Sequence, residues 1–141
     1  MEGMTVQVHE LRPKAESEKI TINLGYVDLG QIELLVAEGF YANRTDFIRT
    51  AIRNQLDRQS EALRQSTARR SVELGLRRVT RAELEAAAAS GQPLALRVLG
   101  IASIADDVSP ELARAGIASV FVLGALQASA GVRAALADRM A

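Results

Sequence analysis

The stretch that decides the fold is KITINLG, residues 19–25, in which apolar and polar side chains alternate. This period-2 pattern predicts a β-strand with one apolar and one polar face. The apolar positions are Ile20, Ile22 and Leu24, and the polar positions are Lys19, Thr21 and Asn23. The next fifty residues read as helix and offer no second strand. A lone strand is unstable because its N–H and C=O groups are unpaired, so this strand needs a partner.

The bulk composition predicts a globular protein and excludes several kinds of site. With 141 residues, 48% hydrophobic and 24% charged, the chain can bury a core. It has no cysteine and one histidine, which excludes disulfides, thiolate chemistry, histidine triads and multi-histidine metal sites within one chain. No apolar run reaches membrane-spanning length, and residues 1–19 lack a secretion-signal pattern. We expect a cytoplasmic protein without metal or cofactor.

The net charge of zero hides a gradient along the chain. Residues 1–42 carry three basic and seven acidic groups, for −4, and residues 82–141 carry four and six, for −2. Residues 43–81 carry ten arginines against four acidic groups, for +6. A basic segment is typical of nucleic-acid binding, and arginine is well suited to phosphate and guanine. The alternative is a solvated arginine-rich helix.

Two helices are predicted after the strand. Residues 1–18 read as a flexible arm, and a first helix runs from about Leu29 to Glu38, capped by Asp28 and ended by Gly39. Asn43 is a strong N-cap for the second helix, with Asp46 three residues later as in a capping box. No proline or glycine follows up to residue 74, which predicts one long helix that runs past Leu63.

A single copy of this strand–helix–helix arrangement cannot bury both amphipathic helices and satisfy the strand. Two copies can, if their strands pair antiparallel across a two-fold axis, so we expect an obligate homodimer. The expected dimer core consists of Ile20, Ile22, Leu24, Phe47, Ile48 and Ile52.

The polar face of such a ribbon indicates DNA. A two-stranded ribbon fits the major groove, where Lys19, Thr21 and Asn23 can bond base edges. The N-terminus of the second helix, at Asn43, Arg44 and Thr45, offers free N–H groups and a positive dipole end to a phosphate.

Residues 19–56 resemble a ribbon-helix-helix domain of the CopG/Arc/MetJ type. The family's entry to its second helix corresponds to GFYANRTDFIR, residues 39–49. The resemblance implies that Thr21, Asn23 and Lys19 contact bases and that Asn43, Arg44 and Thr45 contact phosphate. Two features depart from minimal members: the glycine-rich GYVDLG after the strand and the 18-residue leader.

The second half contains a candidate repeat centred on Gly75, Gly100 and Gly124. A 24-residue shift lays Gly100 on Gly124 and Val98 on Val122, whereas Gly75 lies 25 residues before Gly100. Each unit reads as a strand that is apolar on both faces, then a short helix. The predicted helices are 81–89, 109–115 and 131–138. A strand–helix repeat of about 24 residues is typical of a small solenoid with parallel strands. The alternative is chance spacing in an alanine-rich segment.

The predicted fold class is α+β, with a ribbon-helix-helix domain followed by a β-α repeat domain. The predicted divisions are a flexible arm at 1–18, a DNA-binding domain at 19–60, a helical linker at 61–71 and a repeat domain at 72–141. No polar cap is visible after the last repeat, so its open end is expected to stack on another copy.

We therefore expect a non-enzymatic, sequence-specific repressor that binds double-stranded DNA as a dimer and assembles further through its repeats, with cooperative or filament-like binding. Asp106 and Asp107 are read as turn residues because no other catalytic group lies near them in the sequence. Two rivals remain: an antitoxin-type protein whose C-terminal half binds a partner protein, and a filament-forming scaffold. The arginines at 69, 70, 77, 78 and 81 either widen the DNA footprint or link the two domains.

Overall fold

The computed structural model of the chain describes residues 17–141, which form two compact units, residues 17–69 and 70–141. The predicted arm at 1–18 falls almost entirely outside the described residues. The first unit contains helices α1, Tyr26–Ala37, and α2, Arg44–Arg58, and most of α3, Ser60–Arg70. The second is a β-α unit.

Helix α1 begins earlier than the sequence predicts. Gly25, with an extended backbone, occupies the N-cap position, and its carbonyl accepts from the Leu29 N–H at 3.0 Å. Asp28 lies in the first turn and is not the cap, so that prediction is wrong; its charge there favours the positive end of the helix dipole. The predicted stop at Gly39 is confirmed. Gly39 has φ +86°, and the N–H of Phe40 donates back to the Leu35 carbonyl at 3.0 Å.

Helix α2 has the predicted cap but not the predicted length. The Asn43 Oδ1 accepts from the Asp46 N–H at 2.8 Å, and the Asp46 carboxylate accepts from the Ala42 N–H at 3.0 Å. The reciprocal bond therefore reaches one residue further back than in a standard capping box. The helix is interrupted at Gln59, whose N–H is shared between two carbonyls of the preceding turn. The uninterrupted helix past Leu63 is wrong, although no breaker residue marks the site.

The strand predicted at residues 19–25 is not formed in the single chain. Residues 18–25 have no regular secondary structure and precede α1 directly. A strand requires a hydrogen-bonded neighbour. The antiparallel pairing with a second copy therefore stays a prediction.

Residues 70–141 contain a parallel three-stranded sheet in the order β1-β2-β3. The strands are β1, Glu73–Val79, β2, Leu94–Ile104, and β3, Ile117–Gln127. A helix follows each strand: α4, Arg81–Ser90, α5, Pro110–Gly116, and α6, Ala130–Leu136, which continues into a 3-10 turn at Ala137–Arg139. Hydroxyl side chains of Thr80, Ser109 and Ser129 cap the three helices. Predicted and observed helices agree to within two residues.

The three glycines of the candidate repeat lie side by side in the sheet. Gly75 pairs with Gly100, and Gly100 pairs with Gly124, so offsets of 25 and 24 residues are the register of the strands. All three have positive φ: +114°, +140° and +120°. A Cβ added to Gly100 would lie 2.2 Å from the Gly75 carbonyl oxygen. Only glycine fits at this close approach.

One face of the sheet packs on the helices. Alternate side chains of β2, among them Val98 and Ile104, are buried against helix residues such as Leu84 and Leu136. The strands are apolar on both faces, as predicted, but the single chain covers only one of them, because leucines on the opposite face are exposed. Near its C-terminus the chain returns to β3, where Val120 pairs with Met140 and the Val120 carbonyl accepts from the Ala141 N–H at 3.0 Å. The β3 edge is thus covered at that point. Stacking of the sheet end on another copy stays a prediction.

Candidate nucleic-acid interface

The segment before α1 exposes both its faces in the single chain. Lys19, Thr21 and Asn23, the expected base-contacting residues, are exposed. The alternating apolar residues are exposed too: Ile20 retains 73% of its accessible surface and Ile22 retains 60%. Exposed polar residues are ordinary, but an exposed alternating isoleucine pair indicates a surface that another chain covers.

The expected dimer core is only partly assembled in one copy. Ile22, Leu24 and Ile48 line one open cavity of about 320 Å³, together with Ile32 of α1. Ile32 is the one buried hydrophobic residue in residues 17–69. Ile20 and Ile52 are not among the residues that line this cavity, and Ile52 is exposed.

A second apolar group on α2 is built from an aromatic pair. Phe47 meets Tyr41 edge-to-face, with ring centroids 5.0 Å apart. The two rings line a further open cavity of about 300 Å³ with residues of the later turns of α2, including Asn54 and Arg58. Sequence reasoning missed Tyr41 because it lies in the turn before the helix, outside the helical periodicity. An aromatic residue just before an N-cap was the available signal.

The N-terminus of α2 is exposed at each of the three expected phosphate-contacting residues, Asn43, Arg44 and Thr45. The Asn43 side chain is already used, because it caps the helix. What remains for an anion are backbone N–H groups of the first turn, which have no partner within a helix. The Arg44 guanidinium lies 3.4 Å from the Glu33 carboxylate of α1, and both side chains are more than half exposed. Such an exposed pair is weak and is readily exchanged for a phosphate.

Two of the arginines beyond α2 form ion pairs within the second unit. Arg77 makes a bidentate ion pair with Glu83, and Glu73 lies 3.5 Å from its Nε. The hydrogen bond to Glu83 raises the pKa of Arg77, and the same bond lowers the pKa of Glu83. Arg81 pairs with Glu85 at 2.7 Å. The part-buried Arg77–Glu83 pair joins β1 to α4, whereas the exposed Arg81–Glu85 pair lies within α4 and is weak. A wider DNA footprint through these arginines stays a prediction.

Arg70 has a role within the second unit. Its guanidinium lies 5.5 Å from the centre of the Phe121 ring, and that of Arg97 lies 5.1 Å from the same ring. Arg97 also donates to the Arg70 carbonyl at 2.7 Å. Sequence analysis missed this arrangement, because Phe121 is far from both arginines in the chain and only the strand register brings them together.

Two other kinds of site are not found where the structure describes the chain. Within residues 17–141, no group of three or more potential ligands could hold a metal ion. Over the same range, no helix is both long and apolar enough to cross a membrane.

Comparison with known proteins yields one match. The model of the Ribbon-Helix-Helix transcriptional regulator family matches residues 15–133, well over half of the chain, which covers the first unit and most of the second. No curated protein and no solved structure matches it significantly.

Proposed function

The chain belongs to the ribbon-helix-helix transcriptional regulator family, and on this premise we propose that it is a cytoplasmic, sequence-specific repressor that binds operator DNA as an obligate homodimer. Two copies of residues 19–25 pair antiparallel, and the resulting ribbon enters the major groove. Lys19, Thr21 and Asn23 of each copy then face the base edges.

The observation that carries this proposal is the exposed apolar face of residues 20–24. Burying an aliphatic side chain of this size stabilises a protein by about 1.5–3 kcal/mol. A second copy supplies that burial twice over, since each strand covers its partner and both meet the apolar cavity that Ile22 and Leu24 line. The same pairing satisfies the backbone groups that the single chain leaves without strand partners.

The exposed start of α2 supports a phosphate contact beside the ribbon. The N–H groups of Arg44 and Thr45 and the positive dipole end attract a phosphate, and the Arg44 side chain can leave Glu33 to join them. Such contacts fix the orientation of the protein on the duplex, whereas residues 21 and 23 discriminate between sequences.

Repression follows from occupation of a promoter. A two-fold dimer binds two half-sites that mirror its own symmetry, so a palindromic or tandem operator is expected. The segment at residues 70–141 serves as an oligomerisation module with a solenoid-like β-α repeat and makes binding cooperative or filament-like along DNA. The continuous glycine register and the repeated hydroxyl helix caps support this reading of the second unit.

The test is a DNase footprint on the DNA upstream of the protein's own gene, over a protein titration at two salt concentrations. We expect a protected site that weakens as salt rises, because phosphate contacts release counterions. Asn23→Ala is expected to reduce protection at this site, whereas Gln92→Ala, in an exposed loop of the second unit, leaves it unchanged. Absence of protection even at low salt overturns the proposal and favours the scaffold.

A further inference from the structure

One face of the sheet in residues 70–141 is only partly covered in the single chain: its outer-strand leucines are exposed and its middle strand is half-buried. The strand register places Leu74, Leu99 and Leu123 in one row across the three strands. Leu76, Ile101 and Ala125 form the next row on the same face. Leu74 retains 78% of its accessible surface and Leu123 retains 52%, whereas the other face of the same strands is the buried core.

These six side chains form a continuous aliphatic surface, which we call the leucine face. It contains no charged or hydrogen-bonding side chain. Parallel sheets are almost always covered on both faces, and an exposed apolar patch of this kind marks an interaction site. The occupant must itself be apolar over two rows of residues, because a charge pressed against this surface would be buried without a partner.

The border of the leucine face is polar and basic. At one end, Phe121 lies beneath the guanidinium groups of Arg70 and Arg97. At the other end, Arg78, Ser103 and Gln127 form the next row in register. An apolar centre surrounded by arginine, an aromatic ring and polar side chains is the usual anatomy of a protein–protein interface.

We propose that the leucine face packs on the leucine face of a second copy, so that two sheets lie face to face with their helices on the outer sides. A face with only aliphatic residues at its centre is self-complementary, as a two-fold interface requires. Two packed sheets lie about 10 Å apart, which lets leucines from both sides interdigitate. The inference deepens the proposed oligomerisation role and names its surface.

The dimerisation of the family supplies the second copy. Ribbon-helix-helix proteins dimerise, so every dimer carries two leucine faces. Because each dimer carries two such faces, pairing between dimers can repeat along DNA, and this multivalency favours it over a single encounter with an unrelated protein.

The chain contains no cysteine, which makes cross-linking a direct test. Leu99→Cys places the sole thiol in the middle strand of the leucine face. Ala86→Cys, at an exposed position of α4, is the matched control. With a short, flexible bismaleimide, Leu99→Cys is expected to form covalent dimers efficiently and Ala86→Cys is not.

A second pair of variants separates the packing of this face from association through residues 17–69. Adding Leu123→Glu to Leu99→Cys is expected to reduce cross-linking at least about tenfold, because it buries an unpaired charge. Adding Ala89→Glu, exposed on α4, leaves cross-linking unchanged. The proposal is overturned if Leu99→Cys cross-links no better than Ala86→Cys, as it would if residues 1–16 or another protein covered the face. It is equally overturned if Leu123→Glu has no effect.

The outcome is distinguishable from failure of the proposed DNA-binding function. Leu123→Glu leaves residues 19–25 and the start of α2 intact, so the footprint at a single site is retained. Loss of the footprint in the wild-type protein, with cross-linking at residue 99 preserved, refutes only the repressor.

Discussion

The two units of this chain differ in how far they bury their apolar side chains. In residues 70–141, a parallel sheet and three helices enclose a core that includes Val79, Leu84 and Ile117. In residues 17–69, only Ile32 is buried, and large apolar side chains such as Ile20 and Ile22 are exposed. The difference teaches that the second unit completes a core within one chain, whereas the first leaves apolar side chains exposed that we propose a second copy covers.

The largest expected effect comes from placing a charge on the apolar face of the ribbon. Ile22→Asp would bury an unpaired carboxylate in the dimer, at a cost of at least about 3 kcal/mol. Operator affinity should fall at least about 100-fold, measured by fluorescence anisotropy, while the circular dichroism of residues 70–141 is retained. Gln92→Asp carries the same change of charge in an exposed loop and should bind normally. If Ile22→Asp bound the operator within about threefold of the wild-type affinity, the view that residues 17–69 need a second copy would be contradicted.

In the second unit, substitutions are expected to cost most stability in the glycine column, the paired residues Gly75, Gly100 and Gly124. Gly100→Ala places a Cβ 2.2 Å from the Gly75 carbonyl at a φ of +140°. The free energy of unfolding should fall by about 3 kcal/mol, measured by urea denaturation followed by circular dichroism. Gly75→Ala shares the positive φ but has open space around the added Cβ, so it should lose less. Equal losses of unfolding free energy in both variants would show that the positive φ, and not the close contact, causes the destabilisation.

Helix caps allow a matched comparison of the two units. Asn43→Ala and Ser109→Ala each remove a side chain that accepts an N–H bond from the first turn. Each should cost about 1 kcal/mol of stability. Only Asn43→Ala should also weaken operator binding, because it disturbs the helix start that we propose contacts phosphate. Equal affinity of both variants, measured by anisotropy, would place the phosphate contact elsewhere.

The smallest expected effect is the acid sensitivity of the second unit. The Arg77 hydrogen bond holds the pKa of Glu83 below its usual value, and Arg114 likewise lowers the pKa of Asp138. A lowered folded-state pKa adds stability above the unfolded-state pKa, and that stability is lost as pH falls through the folded-state pKa. Unfolding free energy should therefore decline below about pH 4.5.

Glu83→Gln tests this contribution directly. The pair is partly exposed, so the variant should lose no more than about 1 kcal/mol at pH 7. Its stability should also depend less steeply on pH in acid than that of the wild type, measured by urea denaturation between pH 3 and pH 7. An unchanged slope would show that Arg77 does not set the acid response.

The sequence predicted the elements that follow from local chemistry. The Asn43 cap, the stop at Gly39 and the three helices of the second unit were all readable, because caps and glycines act over a few residues. The register of the glycine column was also readable, since a parallel sheet with similar connections repeats at the length of its β-α unit.

Other features depended on contacts that periodicity does not encode. The interruption at Gln59 has no breaker residue, and the earlier start of α1 uses Gly25, which offers no capping side chain. The sequence indicated strands that are apolar on both faces but not what covers the leucine face, because an apolar run looks the same whether its cover comes from the same chain or another. For the candidate site, the roles of Lys19, Thr21 and Asn23 stay predictions, because the ribbon requires a second copy to form.

Amide hydrogen exchange of residues 19–25 tests the central claim most directly. Mass spectrometry of the full chain would compare the wild type with Ile22→Asp, using β2, Leu94–Ile104, as an internal reference that is hydrogen-bonded within one chain. The account predicts slow exchange at 19–25 in the wild type, fast exchange there in the variant, and slow exchange of β2 in both. Fast exchange at residues 19–25 in the wild type, with β2 protected, would contradict it.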